Sequence, residues 1–176
     1  MRVIAGSLGG RTFEAPHGHR THPMGDKIRG ALFNILGDID GLTVLDAFAG
    51  SGALSFEAIS RGASSALALD IDKEAYRTIQ ANIQTLGLGQ TVTVMRKNVA
   101  GWSRNNRHKQ FDIVLADPPY DDIRPMILQD LIGQIKPDGL LVLSWPGGEP
   151  VRQFPGVTIL TGKQYGDAQL VFYRKD

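Results

Sequence analysis

From residue 42 to residue 144 the chain alternates short β-type runs with segments of helical period. The runs are 42–47, 65–69, 91–95, 111–116 and 140–144, and the helical segments are 53–60, 73–86, a poorer one near 99–106, and 123–135. Repeated strand–helix–strand units give parallel strands, because each crossover helix must pack back onto the sheet. Two further β-type runs, 157–160 and 170–173, are separated by Lys163-Gln164-Tyr165-Gly166-Asp167. That stretch is too short for a helical crossover, so the last two strands are expected to be antiparallel. The fold class is therefore α/β: a Rossmann-like sheet of seven strands, parallel, with an antiparallel C-terminal hairpin.

The 41 residues before this alternation read differently. Residues 2–13 suggest two short strands around Gly6-Ser7-Leu8-Gly9-Gly10, with Arg2 and Arg11 flanking the turn. Residues 14–23 are rich in Pro, Gly and His and read as a loop. Ile28, Ala31, Leu32, Ile35 and Leu36 repeat at helical spacing, which predicts a helix over 24–36 with Gly37 as its stop. Phe33-Asn34 on that helix reads either as a lid over a cofactor or as plain packing.

Chemistry gathers where strands end. In an open α/β sheet, ligands bind outside the carboxyl ends of the strands. The first strand runs into Asp46-Ala47-Phe48-Ala49-Gly50-Ser51-Gly52-Ala53. Glycines there let a ligand approach the backbone, and the helix start that follows favours electronegative groups. A dinucleotide fingerprint needs a third small residue at a place held by Ser55, and it has no counterpart to Asp46. A carboxylate at Asp46 suits a cationic group such as an amino-acid ammonium. Asp70 ends the second strand and suits the two hydroxyls of a ribose. Asp72 reads as a second acceptor or, more simply, as a helix N-cap. Asn98 reads equally as an adenine contact or a cap.

Asp117-Pro118-Pro119-Tyr120 follows the fourth strand. Two prolines lack the N–H groups a ladder needs, so the chain must leave the sheet at Asp117. It leaves with a carboxylate, rigidly aimed carbonyls and an aromatic ring. That set suits a flat ring bearing an amino group.

Composition narrows the setting. At 176 residues, 42% apolar and 21% charged, the chain is expected to form one domain spanning 1–176. It has no cysteine, which excludes disulfides and thiolate metal sites. No apolar stretch approaches a membrane span or a signal peptide, so a cytoplasmic protein without a membrane partner is expected. Net charge is +1, but its distribution is uneven. Residues 1–30 hold five Arg and Lys against two acids, and residues 96–109 hold five with no acid. Such segregation suggests a polyanion partner, although basic runs also serve as solvated faces.

The order of these motifs resembles the S-adenosylmethionine-dependent (class I) methyltransferases that modify exocyclic amino groups. A closer resemblance covers nearly the whole chain. Met1-Arg2-Val3-Ile4-Ala5-Gly6 with Gly10-Arg11, Thr21-His22-Pro23, Ala31 through Leu36, Asp46 through Ala53, Ser60-Arg61-Gly62-Ala63 and Tyr165-Gly166-Asp167 look like the RsmD family. Those enzymes methylate the N2 amino group of a guanine in bacterial 16S ribosomal RNA, in the small subunit or a late precursor. The resemblance implies a seven-strand class I methyltransferase sheet with an N-terminal RNA-binding extension over 1–23, acting as a monomer. It implies S-adenosyl-L-methionine as cofactor, held by Asp46, Phe48, Ala49, Gly50, Ser51, Gly52, Asp70, Ile71, Asn98 and Val99. Catalysis would fall to Asp117, Pro118, Pro119 and Tyr120, and RNA contact to Arg2, Arg11, Arg20, His22, Arg104 and Arg107.

This chain departs from the family pattern at four places. It has His22-Pro23-Met24 where Arg-Pro-Thr is usual, Asp70 where Glu is usual, and Asn98 where Asp is usual. Two other enzyme readings stand beside the favoured one. A DNA adenine-N6 methyltransferase would use the same Asp-Pro-Pro-Tyr segment, but this chain has no separate target-recognition domain. A nicotinamide-dependent oxidoreductase is disfavoured by Ser55 and the C-terminal hairpin. A third reading is a non-catalytic RNA-binding domain on the same fold.

Overall fold

The structure, a computed structural model, describes residues 1–17, 24–122 and 124–176. Its elements are α1 (Asp26–Leu36), β1 (Thr43–Asp46), α2 (Ala53–Ser60), β2 (Ser65–Asp70), α3 (Lys73–Leu86) and β3 (Val92–Arg96). They continue with α4 (Val99–Asn105), β4 (Phe111–Ala116), a short 3-10 turn (Tyr120–Asp122), α5 (Pro125–Ile132), β5 (Ile135–Pro146), β6 (Val157–Tyr165) and β7 (Ala168–Lys175). All seven strands form one sheet in the order β3-β2-β1-β4-β5-β7-β6. The first five are parallel, and β7 runs antiparallel to both β5 and β6. The order reverses direction between β1 and β4, which opens a crevice at their carboxyl ends.

Alternation along the strands builds a core on each face. Val44, Ile113, Leu115 and Val142 point to one side, where Phe33 of α1, Phe56 of α2 and Ile79 of α3 pack. Leu45, Val114, Leu141 and Leu143 point to the other, against Trp102 of α4 and Leu128 and Leu131 of α5. Helix boundaries follow local chemistry. The Asp72 carboxylate accepts from the Ala75 N–H at 2.9 Å, and Gly87 closes α3 in the left-handed conformation. Gly37 stops α1 with φ of 75°.

Two expectations need correction, and one open reading closes. Residues 2–13 form no strands; the segment folds back on itself through a single bridge between Arg2 and Thr12, with Val3 and Phe13 joining the first core. It is held mostly by helix α2. Of the two readings of Phe33-Asn34, packing fits Phe33, which is buried with the Arg61 guanidinium 5.4 Å from its ring centre; Asn34 is exposed and accepts from Arg61 at 3.1 Å. Strand β5 also starts before Pro137-Asp138-Gly139. Its pairing with β4 jumps from Phe111↔Ile135 to Ile113↔Leu140, so the extra residues bulge out, with Asp138 at φ 61°.

The C-terminal hairpin is longer than its apolar runs suggested, because β-pairing continues through polar residues to a turn at Gly166-Asp167. A second bulge lies on the outer strand β6. Ile159 faces Tyr173 and Thr161 faces Phe172, leaving Leu160 without a pairing partner and 44% exposed.

Candidate active site

The turn after β1 is held between its two neighbouring strands. The Ala47 N–H donates to the Leu115 carbonyl and the Ala49 N–H to that of Leu69, each at 2.9 Å. The chain then turns at Gly50 and Gly52, with φ of 53° and 79°. A Cβ on Gly52 would lie 2.8 Å from Cζ of the buried Phe56, so this position requires glycine for space as well as for backbone angle. Ser51 is buried, and Ala49 and Phe48 pack into opposite cores.

Asp46 sits fully buried at the end of β1. Its Oδ2 accepts from the Ser55 hydroxyl at 2.7 Å and the Ser55 N–H at 3.2 Å, while Oδ1 has no partner. Burial pushes its carboxyl up to about 7, the Ser55 bonds oppose that, and the Asp117 and Asp70 carboxylates nearby raise it further. A buried acceptor left empty costs free energy, so it marks a place where a donor or cation fits. The serine that spoiled the dinucleotide fingerprint is thus the residue that orients Asp46.

Asp70 is half-buried and already carries two backbone bonds. Its Oδ2 accepts from Gly50 and its Oδ1 from Asp72, each at 2.8 Å. It ties the glycine turn to the carboxyl end of β2. Ile71 follows, 62% exposed, an apolar surface beside the carboxylate. The Lys97 N–H donates to the Asp70 carbonyl at 2.9 Å, which brings Asn98 and the buried Val99 to the same edge. Asn98 caps α4, accepting from the Gly101 N–H at 3.1 Å. It also lines a cavity of about 540 Å³ with Arg104, Arg124, Met126 and Asp130.

On the other side of the crevice, Asp117 leaves β4 half-buried, followed by buried Pro118 and exposed Pro119. Burial raises the Asp117 carboxyl above its usual range, and the nearby Ser144 hydroxyl opposes that shift. Tyr120 is 40% exposed, and its hydroxyl lies 2.7 Å from the Ser144 hydroxyl. Burial raises the Tyr120 phenol as well, opposed by Ser144 and reinforced by Asp117. Ser144 lies at the end of β5 and carries no local sequence signal, since a serine closing an apolar strand is unremarkable in isolation. A sheet order placing β5 beside β4 is the clue that points to it.

The basic residues divide. Arg2 is exposed and pairs with Asp26 at 3.1 Å. Arg11 donates to the Thr85 and Leu86 carbonyls at the end of α3. Arg29, counted among the N-terminal positive charges, is fully buried and serves the interior. Arg104 donates to the Ala100 carbonyl and stands 3.6 Å from Asp130, while Arg107 is exposed. Arg20 and His22 lie outside the described residues. Among the described residues no cluster of His, Asp and Glu could hold a metal ion, and no helix is long and apolar enough to cross a membrane.

Comparison with known proteins shows the family and the fold. The family described as "Conserved hypothetical protein 95" matches residues 1–174. YlbH of Bacillus subtilis is 34% identical over 182 residues, spanning 99% of each chain. Ribosomal RNA small subunit methyltransferase D of Haemophilus influenzae is 29% identical over 180 residues, spanning 99% of this chain and 92% of that one. The solved structure of yhhF from Escherichia coli superposes with a TM-score of 0.86 at 28% identity, covering 100% of this chain and 98% of that chain. The chain belongs to this family, the RsmD family, and carries the class I methyltransferase fold.

Proposed function

We propose that this protein methylates the N2 amino group of a guanine in 16S ribosomal RNA of the small subunit, with S-adenosyl-L-methionine as methyl donor. One observation carries the reading. Asp117-Pro118-Pro119-Tyr120 leaves the sheet beside a buried carboxylate, Asp46, that keeps an unpaired oxygen at the same crevice. Family membership supports it, as does the name of the Haemophilus influenzae relative.

The residues fit the donor. Asp46 would hold its ammonium through Oδ1, the Gly50–Gly52 turn would pass beneath its carboxylate end, and Asp70 would take its ribose. Phe48, Ala49 and Ser51 would complete the turn around it, and Ile71, Asn98 and Val99 would flank its adenine. When bound, the donor supplies an electrophilic methyl on a sulfonium. Everything else is positioning. A guanine amino nitrogen is a poor nucleophile because its lone pair is delocalised into the ring. Asp117 and the Pro118 carbonyl accept its two N–H bonds, which pyramidalises the nitrogen and aims its lone pair. Pro119 keeps the backbone stiff, and Tyr120 offers a ring face to a base taken out of its stack. No strong base is required before transfer, because the nitrogen becomes acidic once alkylated.

Arg2, Arg11, Arg104 and Arg107, with Arg20 and His22, would meet RNA phosphates, orienting the substrate rather than reading its sequence. Binding then weakens steeply with salt. The deciding experiment is labelled-methyl transfer to small ribosomal subunits, naked 16S RNA and duplex DNA, followed by nucleoside identification. N2-methylguanosine from subunits supports the proposal. N6-methyladenine from DNA, or no transfer to any of the three, overturns it.

A further inference from the structure

Helices α4 and α5 leave a groove between them whose polar floor the proposed chemistry does not use. Each helix begins at the carboxyl end of the strand before it and runs back along the same face of the sheet, over the second core. The cavity of about 540 Å³ beside Asn98 fills the crevice end of this groove. Farther down lies a second cavity of about 290 Å³, lined by Ser103, Arg107, Gln129, Asp130, Gly133 and Gln134. Its floor is polar and unsatisfied. Ser103 and Gln134 are each 1% exposed. The Gln134 Nε2 donates to the Ser103 carbonyl at 3.2 Å, which fixes the amide and leaves its Oε1 without a donor. The Ser103 hydroxyl has no partner at all. Buried polar atoms are nearly always paired, because each unmade bond costs free energy. The rim is cationic. Arg107 is exposed and has no acid partner among the described residues, whereas Arg104 stands 3.6 Å from Asp130. Exposed His108 and Lys109 follow.

A ligand that completes this floor carries a hydroxyl able both to donate and to accept, next to a negative charge. Every RNA nucleotide offers that pair as its ribose 2′-hydroxyl and phosphate, and DNA offers the phosphate alone. We propose that the α4–α5 groove is an RNA-backbone subsite, in which a 2′-hydroxyl donates to Gln134 Oε1 and accepts from the Ser103 hydroxyl while Arg107 meets the adjoining phosphate. This inference rests on the proposed function and adds to it a means of telling RNA from DNA. The eight residues of α5 give the groove a length of about 12 Å. A strand whose target base enters the crevice lies along it with its flanking nucleotides. Arg107 supplies affinity without regard to the sugar, and the two buried groups supply the discrimination.

Oligouridine and oligodeoxyuridine of equal length differ chemically in that hydroxyl alone, and fluorescence anisotropy on the full chain compares them. Wild type should bind the RNA about 3- to 10-fold more tightly, the worth of about one net hydrogen bond. Ser103→Ala should bring the two affinities together by weakening the RNA and leaving the DNA unchanged. Its melting temperature should stay level or rise, because an unpaired buried hydroxyl is gone. Arg107→Gln should weaken both probes alike and lower the salt slope of each by about one. The chain has no cysteine, so a photo-cross-linker placed on Gln129→Cys reports from the rim of the groove alone. It should capture oligouridine, and the same group on Asp38→Cys, beyond α1 on the other face, should not. Equal affinity of wild type for the two probes, a preference that survives Ser103→Ala, or equal capture at the two cysteines overturns the inference. A Ser103-dependent RNA preference in a protein that transfers no methyl group to subunits, 16S RNA or DNA overturns the proposed function and leaves the subsite standing.

Discussion

Helix α2 carries a fully buried carboxylate arrangement at each end, and the two are built to opposite rules. Near its start, Asp46 is bound by Ser55 through one oxygen and left empty at the other. Near its end, Glu57 is satisfied on both oxygens. It accepts from the Ile4 and Ala5 N–H groups at 2.8 and 3.1 Å and from Arg61 at 2.7 Å, with the Arg29 guanidinium 3.9 Å away. Arg29 in turn donates to the Arg2 and Met24 carbonyls and to Asp26. This doubly paired carboxylate ties the N-terminal segment to α2, although the Arg29 Nε beside it makes no hydrogen bond. The incomplete one faces the crevice. The carboxylate paired on both oxygens serves the fold, and the one with an empty oxygen at the crevice is left free to meet a ligand.

The comparison can be broken most severely at Glu57. Glu57→Ala takes one of its two acids from buried Arg29, removes the partner of Arg61 and leaves two backbone N–H groups without an acceptor. An unfolding free energy lower by about 3 to 5 kcal/mol is expected, read by denaturant titration. Donor affinity in the native protein should hold. Asp46→Asn should do the reverse. Calorimetry should show donor affinity weaker by about 10- to 100-fold, as expected for losing a bond to a charged group. Unfolding free energy should stay level or rise, because the costly buried charge is gone. Gly52→Ala strikes the same end sterically, driving a methyl into Phe56 and Ile79. About 1 to 3 kcal/mol of stability should go with it.

Proton dependence sharpens the contrast further. The Asp46 carboxyl lies near 7 in the folded protein, above its usual value of 3.8. Between those values the folded chain keeps a proton that the unfolded chain has lost, so this group's contribution to stability falls as pH rises. Affinity for a cationic donor moves the other way, because only the ionised form attracts it. Donor binding should weaken by about tenfold per pH unit below 7, with proton release on binding, and Asp46→Asn should remove both slopes. The smallest effect is expected at Arg11→Ala, which removes a cation from the end of α3 and should cost about 0.5 kcal/mol by thermal unfolding.

Features that are local in sequence were legible before the structure. Asp46, Gly50 and Gly52 fall within one turn, the Asp72 cap precedes its helix, and the prolines of Asp117-Pro118-Pro119-Tyr120 announce a strand end. The strand–helix alternation fixes a parallel sheet, and the short final connection fixes its antiparallel edge. What escaped depends on distant partners. Glu57 reads as an ordinary helix charge until Ile4 and Ala5 fold onto it, 53 and 52 residues away. Arg29 counts as one more N-terminal cation in the sequence, but it is interior and fully buried. Ser144 meets Tyr120 across 24 residues, brought together by strand adjacency alone. Pro137-Asp138-Gly139 looked like a turn before a strand because sequence shows no bulge until pairing resumes beyond it.

The bulge at Leu160 bears on what the molecule does in a crowded solution. Strand β6 is the last strand of the sheet, and its outer side offers backbone groups to any passing chain. A straight edge would recruit a second copy by extending the ladder. The extra residue at 160 breaks the repeat of donors and acceptors midway and twists the strand away from a flat partner. The exposed leucine sits where the ladder of the edge strand is interrupted. Deleting Leu160 would straighten the edge, and light scattering on a concentrated sample should show larger particles.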